Sequence, residues 1–135
     1  MNKKIKEFGL KDKVNYIGKK YGEDKNRYWQ YADIFVHPTF SDCFPLVLIE
    51  AMQYSLPIVS TFEGGIPDIV VDSETGFLVP QRDAVALADK LEILIKNPEL
   101  RKQMGEAGRK KYEEEFTLER FENRLVEILK SVISS

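Results

Sequence analysis

Over its first 80 positions the chain alternates short apolar runs with turn-forming residues, and beyond them it changes to long amphipathic stretches. Val14-Asn15-Tyr16-Ile17-Gly18 alternates and is β-branched or aromatic, which predicts a short strand ending at glycine. Ile34-Phe35-Val36-His37-Pro38 is a continuous apolar run closed by proline, the pattern of a strand buried on both faces of a parallel sheet. Residues 57–61 and 77–80 read as two more short strands. Residues 2–8 are helix-compatible with Gly9 as a stop, residues 23–32 read as a helix opened by Asp24, and a short helix at 66–71 follows Gly64-Gly65. Residues 72–76 carry turn chemistry. Asp83 caps a predicted helix at 84–96, Asn97-Pro98 breaks it, and residues 99–115 form a weakly amphipathic helix around Leu100 and Met104. Thr117 then caps a last helix with an apolar stripe: Leu118, Phe121, Leu125, Ile128, Leu129 and Val132.

Strands alternating with helices predict βαβ units, hence an α/β, Rossmann-like parallel sheet with helices on both faces. Four strands are few for a doubly wound domain. No glycine-rich phosphate loop opens the chain, and a helix stands where such a domain starts with a strand. The expectation is that residues 1–135 are the latter part of a larger unit that lacks its first strand or strands.

The most apolar stretch is Ser41-Asp42-Cys43-Phe44-Pro45-Leu46-Val47-Leu48-Ile49-Glu50-Ala51-Met52. Pro45 is predicted at the first helical position, where its missing N–H costs nothing. Leu46, Val47, Leu48, Ile49, Ala51 and Met52 make this helix apolar nearly all round, the pattern of a buried helix. Glu50 inside it is then an acid that needs a partner. With Phe44 as the cap, the N–H groups of Leu46 and Val47 lack a local acceptor and are open to an anion such as phosphate. The alternative is that Ser41 or Asp42 caps a helix that starts earlier.

Ligands of parallel sheets sit beyond the carboxyl ends of the strands, here residues 18–21, 38–44, 61–65 and Pro80. Asp42 and Glu50 stand eight residues apart and flank the helix start. Neither can hold a phosphate, but each can accept hydrogen bonds from hydroxyls on either side of one, which suits a nucleotide-sugar. Equally, Glu50 can bond the backbone of a neighbouring loop, and Asp42 can be a plain loop residue. Gly64 and Gly65 allow close approach of backbone to a ligand, or make an ordinary tight turn. His37 reads as a hydrogen-bonded core residue, Asp72-x-Glu74 as a turn, and Cys43 as a small packing residue.

Composition narrows the classes. The chain is 43% apolar and 31% charged, with a net charge of −2, so it has no electrostatic footprint for nucleic acid. One cysteine and one histidine leave no disulfide framework and no zinc site of the usual kind, and the lone Cys43 fits a reducing compartment. The opening Met-Asn-Lys-Lys-Ile-Lys-Glu has no apolar core of a signal peptide, and no run spans a bilayer. The expected location is the cytoplasm.

The motifs together resemble the C-terminal, donor-binding domain of the retaining GT-B glycosyltransferases of family 4. These carry an acidic residue, a seven-residue gap to Glu-Ala-Met, a Pro-hydrophobic-hydrophobic strand, Gly-Gly-x-Pro-acid, and a Gly-hydrophobic-Leu-Val-Pro strand. They appear here as Asp42-Cys43-Phe44-Pro45-Leu46, Glu50-Ala51-Met52, Pro57-Ile58-Val59, Gly64-Gly65-Ile66-Pro67-Asp68 and Gly76-Phe77-Leu78-Val79-Pro80. Residues 14–18, 31–38 and Asn97-Pro98-Glu99-Leu100-Arg101 match as well. The resemblance implies that Glu50 binds the ribose hydroxyls and that Asp42 contacts the donor sugar. It puts the backbone from Phe44 through Pro45 and Leu46 to Val47, with the N–H groups it carries, near the sugar and diphosphate. It sets residues just after Gly18, Lys19 first, against the base, and Gly64 and Gly65 beside the donor.

The resemblance implies a UDP- or GDP-linked sugar as substrate, no cofactor and no metal. It also implies retention of anomeric configuration by front-face attack with no protein nucleophile, in the synthesis of cell-envelope polysaccharide, lipopolysaccharide or glycolipid. Two features depart from the pattern: the first acid is Asp42 where glutamate is usual, and Pro45 stands where glycine is common. The N-terminal acceptor domain, and the segment that brings an arginine and a lysine to the diphosphate, are not in the sequence. The lobe alone is therefore expected to be inactive, and any contact with the inner membrane face would come through the missing parts. The rival readings are a nucleotide-sugar epimerase of the same fold and a non-catalytic partner lobe of a split enzyme.

Overall fold

A computed structural model describes residues 6–41 and 45–134. Asp42, Cys43 and Phe44 lie outside the described residues. The chain forms two compact units, Met1–Tyr31 and Ala32–Ser135.

The first unit holds helix α1 (Gly22–Tyr31), one residue out of step with the reading at each end. A helical turn at residues 6–7 stops at Gly9, whose φ of +64° is left-handed and whose N–H donates to the Lys6 carbonyl. The strand predicted at 14–18 is not formed. A strand exists through its ladder, and no described segment pairs with these residues.

The second unit contains β1 (Phe35–His37), α2 (Leu46–Gln53), β2 (Ile58–Thr61), α3 (Ile66–Ile69) and β3 (Gly76–Val79). Three longer helices follow: α4 (Ala84–Lys96), α5 (Pro98–Glu115) and α6 (Leu118–Ser134). The three strands are parallel in the order β1-β2-β3, with Val36 beside Val59 and Val59 beside Phe77. Every position of β2 and β3 is buried, so both faces of the sheet are covered. β1 is only half-buried, against the expectation from its unbroken apolar run: β3, also at an edge, has α4 and α5 packed on it, while β1 packs mainly on β2.

The core on one face joins Val59 and Phe77 to Leu94 of α4 and Met104 of α5, with Ile34, Leu87, Leu91 and Leu100 packed around them. Gly76 is demanded by this sheet: a Cβ there would lie 1.9 Å from the Ile58 carbonyl oxygen. The two predicted caps form: Asp83 accepts from the Ala86 N–H and Thr117 from the Arg120 N–H. Asn97, read in the sequence only as a helix break, is a third cap and accepts from the Leu100 N–H. Arg101 closes the other end of α4 by donating to the Leu94 and Ile95 carbonyls at 2.7 and 2.9 Å. No helix of the described residues is long and apolar enough to cross a membrane.

Candidate functional site

The loops beyond the carboxyl ends of the three strands meet, as a parallel sheet requires. The Ser60 hydroxyl donates to the His37 carbonyl at 2.8 Å, and the Thr61 hydroxyl donates to the Thr39 carbonyl at 2.9 Å. Two side chains at the end of β2 thus fix the segment that leads from β1 into α2. Beside them a crevice of about 280 Å³ is lined by Pro38 and Phe40 after β1, Thr61 of β2, Val79 and Pro80 of β3, and Arg82 with Leu87 beyond.

α2 starts at Leu46. Pro45 is the cap residue, with φ −76° and ψ 109°, so the helix starts one position later than expected, because this extended ψ is that of a cap and not of a first helical turn. Proline offers no side-chain acceptor, and no side-chain cap hydrogen bond closes this end. The first turn bond runs from the Leu48 N–H to the Pro45 carbonyl. Among the described residues, the N–H groups of Leu46 and Val47 meet no acceptor. The alternative of an earlier start capped by Ser41 is not what forms: the helix begins at Leu46, and the Ser41 N–H donates to the Thr39 hydroxyl oxygen in a local turn.

α2 is not buried all round. Leu48, Ala51 and Met52 are buried, but Leu46 is 67% exposed, and Val47, Ile49 and Glu50 are half-buried. At about 100° per residue, Glu50 sits roughly 40° around the helix from Leu46, on the side that water reaches. The apparent anomaly of an acid in a buried helix therefore dissolves: the helix is apolar in sequence but half-open in place. Its far end is held by α5, where the Arg109 Nη1 donates to the Gln53 carbonyl at 2.7 Å and the Gln53 amide donates to the Tyr112 hydroxyl at 2.9 Å.

Gly64 has φ +50°, a left-handed conformation, while Gly65 caps α3 at φ −84°, which any residue adopts. These two shape the turn after β2; the Gln81 amide donates to the Glu63 carboxylate just before it. Lys19 is exposed in the first unit. Asp42 and Phe44 fall outside the described residues. His37 is half-buried with its ring stacked on Phe35 at 6.2 Å between centroids, in keeping with a packing role. Asp72 accepts from the Leu78 N–H and Thr75 from the Val71 N–H, so the acidic pair at 72–74 belongs to a turn.

Arg82 was not singled out by the sequence. Its backbone is left-handed at φ +58°, and its guanidinium lies 5.0 Å from the centre of the Phe40 ring, on the wall of the crevice. A cation–π contact of this kind holds a charge in a set place. Neither the positive φ nor the partner at a separation of 42 residues is readable from local pattern.

This geometry meets its counterpart in known proteins. The family model described as glycosyl transferases group 1 matches residues 1–111. The capsular polysaccharide biosynthesis glycosyltransferase CapM of Staphylococcus aureus is 36% identical over 108 residues, which cover 80% of this chain and 28% of that protein. Among solved structures, a sucrose-phosphate synthase from Thermosynechococcus elongatus superimposes with a TM-score of 0.88 at 28% identity, covering 98% of this chain and 33% of that one. HepE of Anabaena, solved with UDP-glucose, shares the fold with a TM-score of 0.86 at 21% identity, over 96% of this chain and 35% of that one. The chain thus spans about a third of the length of these relatives. With the family model matched over most of its length and the α/β fold shared throughout, the chain belongs to the glycosyl transferases group 1 family.

Proposed function

We propose that this chain is the donor-binding lobe of a retaining glycosyltransferase, holding a nucleoside-diphosphate sugar across the start of α2. One observation carries the reading: an α2 N-terminus with no side-chain cap, at the carboxyl end of a parallel sheet, with the half-buried Glu50 one turn along it. The Leu46 and Val47 N–H groups receive diphosphate oxygens, and Glu50 accepts from the ribose hydroxyls. The UDP-glucose found in HepE makes a UDP-sugar the first donor to test. Asp42 contacts the donor sugar, Phe44 and Pro45 shape the entry to the helix, Gly64 and Gly65 border the donor, and Lys19 lies by the base.

In the complete enzyme the acceptor hydroxyl forms the new bond to the anomeric carbon on the face the phosphate leaves. The departing diphosphate takes the bonding pair of electrons and then the acceptor's proton, so no protein nucleophile is needed. Stabilising the negative charge of that leaving group is the largest catalytic demand, and the arginine and lysine that meet it in the family are supplied by segments outside this sequence. The lobe alone is expected to bind donor weakly and to transfer nothing. Its place is the cytoplasm, with cell-envelope glycans as the acceptor class. The lone Cys43 and the similarity to a capsule-forming enzyme support that placement.

Ligand-detected NMR with UDP-glucose and a GDP-linked sugar tests the reading, with Glu50→Ala as the comparison. Loss of the signals from the ribose protons in the variant is expected. Binding untouched by the substitution would remove Glu50 from the site, and transfer by the isolated chain would overturn its incompleteness.

A further inference from the structure

The first half of the loop from β1 to α2 is fixed by hydrogen bonds from β2: the Ser60 hydroxyl donates to the His37 carbonyl and the Thr61 hydroxyl to the Thr39 carbonyl. The bonds between Thr39 and Ser41 are local to the loop. From Phe40 onward, among the described residues, one hydrogen-bonding or ring contact reaches the loop from another element. It is the Arg82 guanidinium, 5.0 Å from the centre of the Phe40 ring. Phe40 is 60% exposed, so burial alone does not hold it. Arg82 is also an unusual residue for its place. Among the described residues, three that are not glycine have a positive φ: Ser55, Ser73 and Arg82. The Ser55 and Ser73 N–H groups donate to the Met52 and Gly76 carbonyls in the turns they close. Arg82 forms no hydrogen bond or ion pair among the described residues, and its φ of +58° is a seat that suits glycine. A strained position filled by a bulky side chain points to a role for that side chain.

We propose that Arg82 is a positioning residue for the donor site: by clasping Phe40 across the crevice it holds the β1–α2 loop, and so the start of α2, in the form that receives the diphosphate. The proposal rests on the reading of the chain as a donor-binding lobe. Arg82 is not itself placed against the donor. It acts through Phe40, in the loop that enters α2 at Leu46. The N–H groups of Leu46 and Val47 are main chain, so their direction follows the path of the segment that leads into the helix. The other end of the clasp is anchored. Arg82 follows β3, in which every position is buried, and it precedes Asp83, whose carboxylate caps α4. The clasp therefore ties the loop to the framework of the sheet. An exposed cation–π contact shifts a balance between held and released forms by about 2- to 5-fold, and donor affinity can change by no more than that.

Ligand-detected NMR titration with UDP-glucose reads affinity, and amide exchange at Phe40 and Ser41 without ligand reads the loop. Arg82→Met and Arg82→Gly should each weaken binding about 2- to 5-fold and speed that exchange. Arg82→Lys, which returns a cation to the ring, should recover part of both. Phe40→Leu should match Arg82→Met. It keeps the charge, which separates the clasp from a long-range pull of the cation on the diphosphate. Combining the two should cost no more than either alone. Arg82→Gly separates positioning from stability: relief of the left-handed backbone offsets the lost contact, so its urea midpoint should stay at the parent's while its affinity falls. Three results would each overturn the proposal: Glu50-dependent binding indifferent to Arg82 and Phe40, additive losses in the double variant, or affinity losses that only track a lowered midpoint. No binding by the parent, or binding that Glu50→Ala leaves intact, fails the donor reading instead. The exchange rates then judge the clasp alone, and rates unchanged in Arg82→Met and Phe40→Leu overturn it as well.

Discussion

Gly105→Ala should destabilise the chain by about 2 kcal/mol, against the usual sign for glycine inside a helix. Propensity alone forecasts a gain of about 1 kcal/mol, since alanine is the better helix former by that much. The structure opposes it. A Cβ at Gly105 would lie 2.0 Å from the carbonyl oxygen of Ser55 and 2.9 Å from its carbon. Carbon and oxygen normally approach to about 3.3 Å, so the overlap exceeds an ångström and falls on main chain that has no rotamer to change. Relief requires α5 to move off the turn that ends α2, at the upper end of overpacking costs, about 3 kcal/mol. Less the propensity gain, the net loss is about 2 kcal/mol.

Gly108→Ala, one turn further along the same helix, is the control: its Cβ would sit 3.8 Å from Met52 and Thr75 side-chain carbons, ordinary contact. That variant should gain about 0.5–1 kcal/mol, with the same effect on the unfolded chain. Urea unfolding followed by circular dichroism should separate the two midpoints by about 1.5 M at a slope of about 2 kcal/mol per molar. A Gly105→Ala midpoint at or above the parent's would refute the close approach of α5 to the α2 turn. That approach matters for function, because Arg109 and Tyr112 of the same helix hold Gln53, and so the helix that carries Glu50.

Gly76→Ala should cost more, about 3 kcal/mol or above, because its Cβ would strike the Ile58 carbonyl at 1.9 Å between two fully buried strands; soluble expression with a parent-like urea midpoint would contradict it. Arg101→Ala removes two hydrogen bonds, both from Nη1, from the last carbonyls of α4 and should lower stability by about 1–2 kcal/mol, while Arg101→Lys, whose ammonium sits on a stem one atom shorter, should recover only part of it; a midpoint unchanged in Arg101→Ala would show that water serves those carbonyls as well. Thr61→Val keeps shape but deletes the bond to the Thr39 carbonyl, with an expected loss of about 1 kcal/mol and faster amide exchange over residues 39–41; exchange unchanged there would mean that β2 does not hold this loop.

What the sequence disclosed follows the range of the physics involved. Caps are local: Asp83 and Thr117 each meet an N–H three residues on, and each was legible from residue type and spacing, while Asn97, read as a break, caps in the same way. The longer helices and all three strands followed from the apolar runs and their periodicity. Pairing is not local. Residues 14–18 carry strand chemistry as good as that of β1, yet they have no ladder among the described residues, and composition cannot supply a neighbour. The burial of β1 failed for the same reason, since an unbroken apolar run reports tolerance of burial but not which edge strand the helices cover. Arg82 depends on a left-handed backbone and on a ring 42 positions away, neither of which leaves a local trace.

The two apolar helices show this limit most sharply. α2 is apolar nearly all round and α6 only along a stripe, so pattern alone buries the first and half-buries the second. The structure leaves Leu46 and Ile49 of α2 open and buries nothing of α6, and the two exposures face each other across one groove.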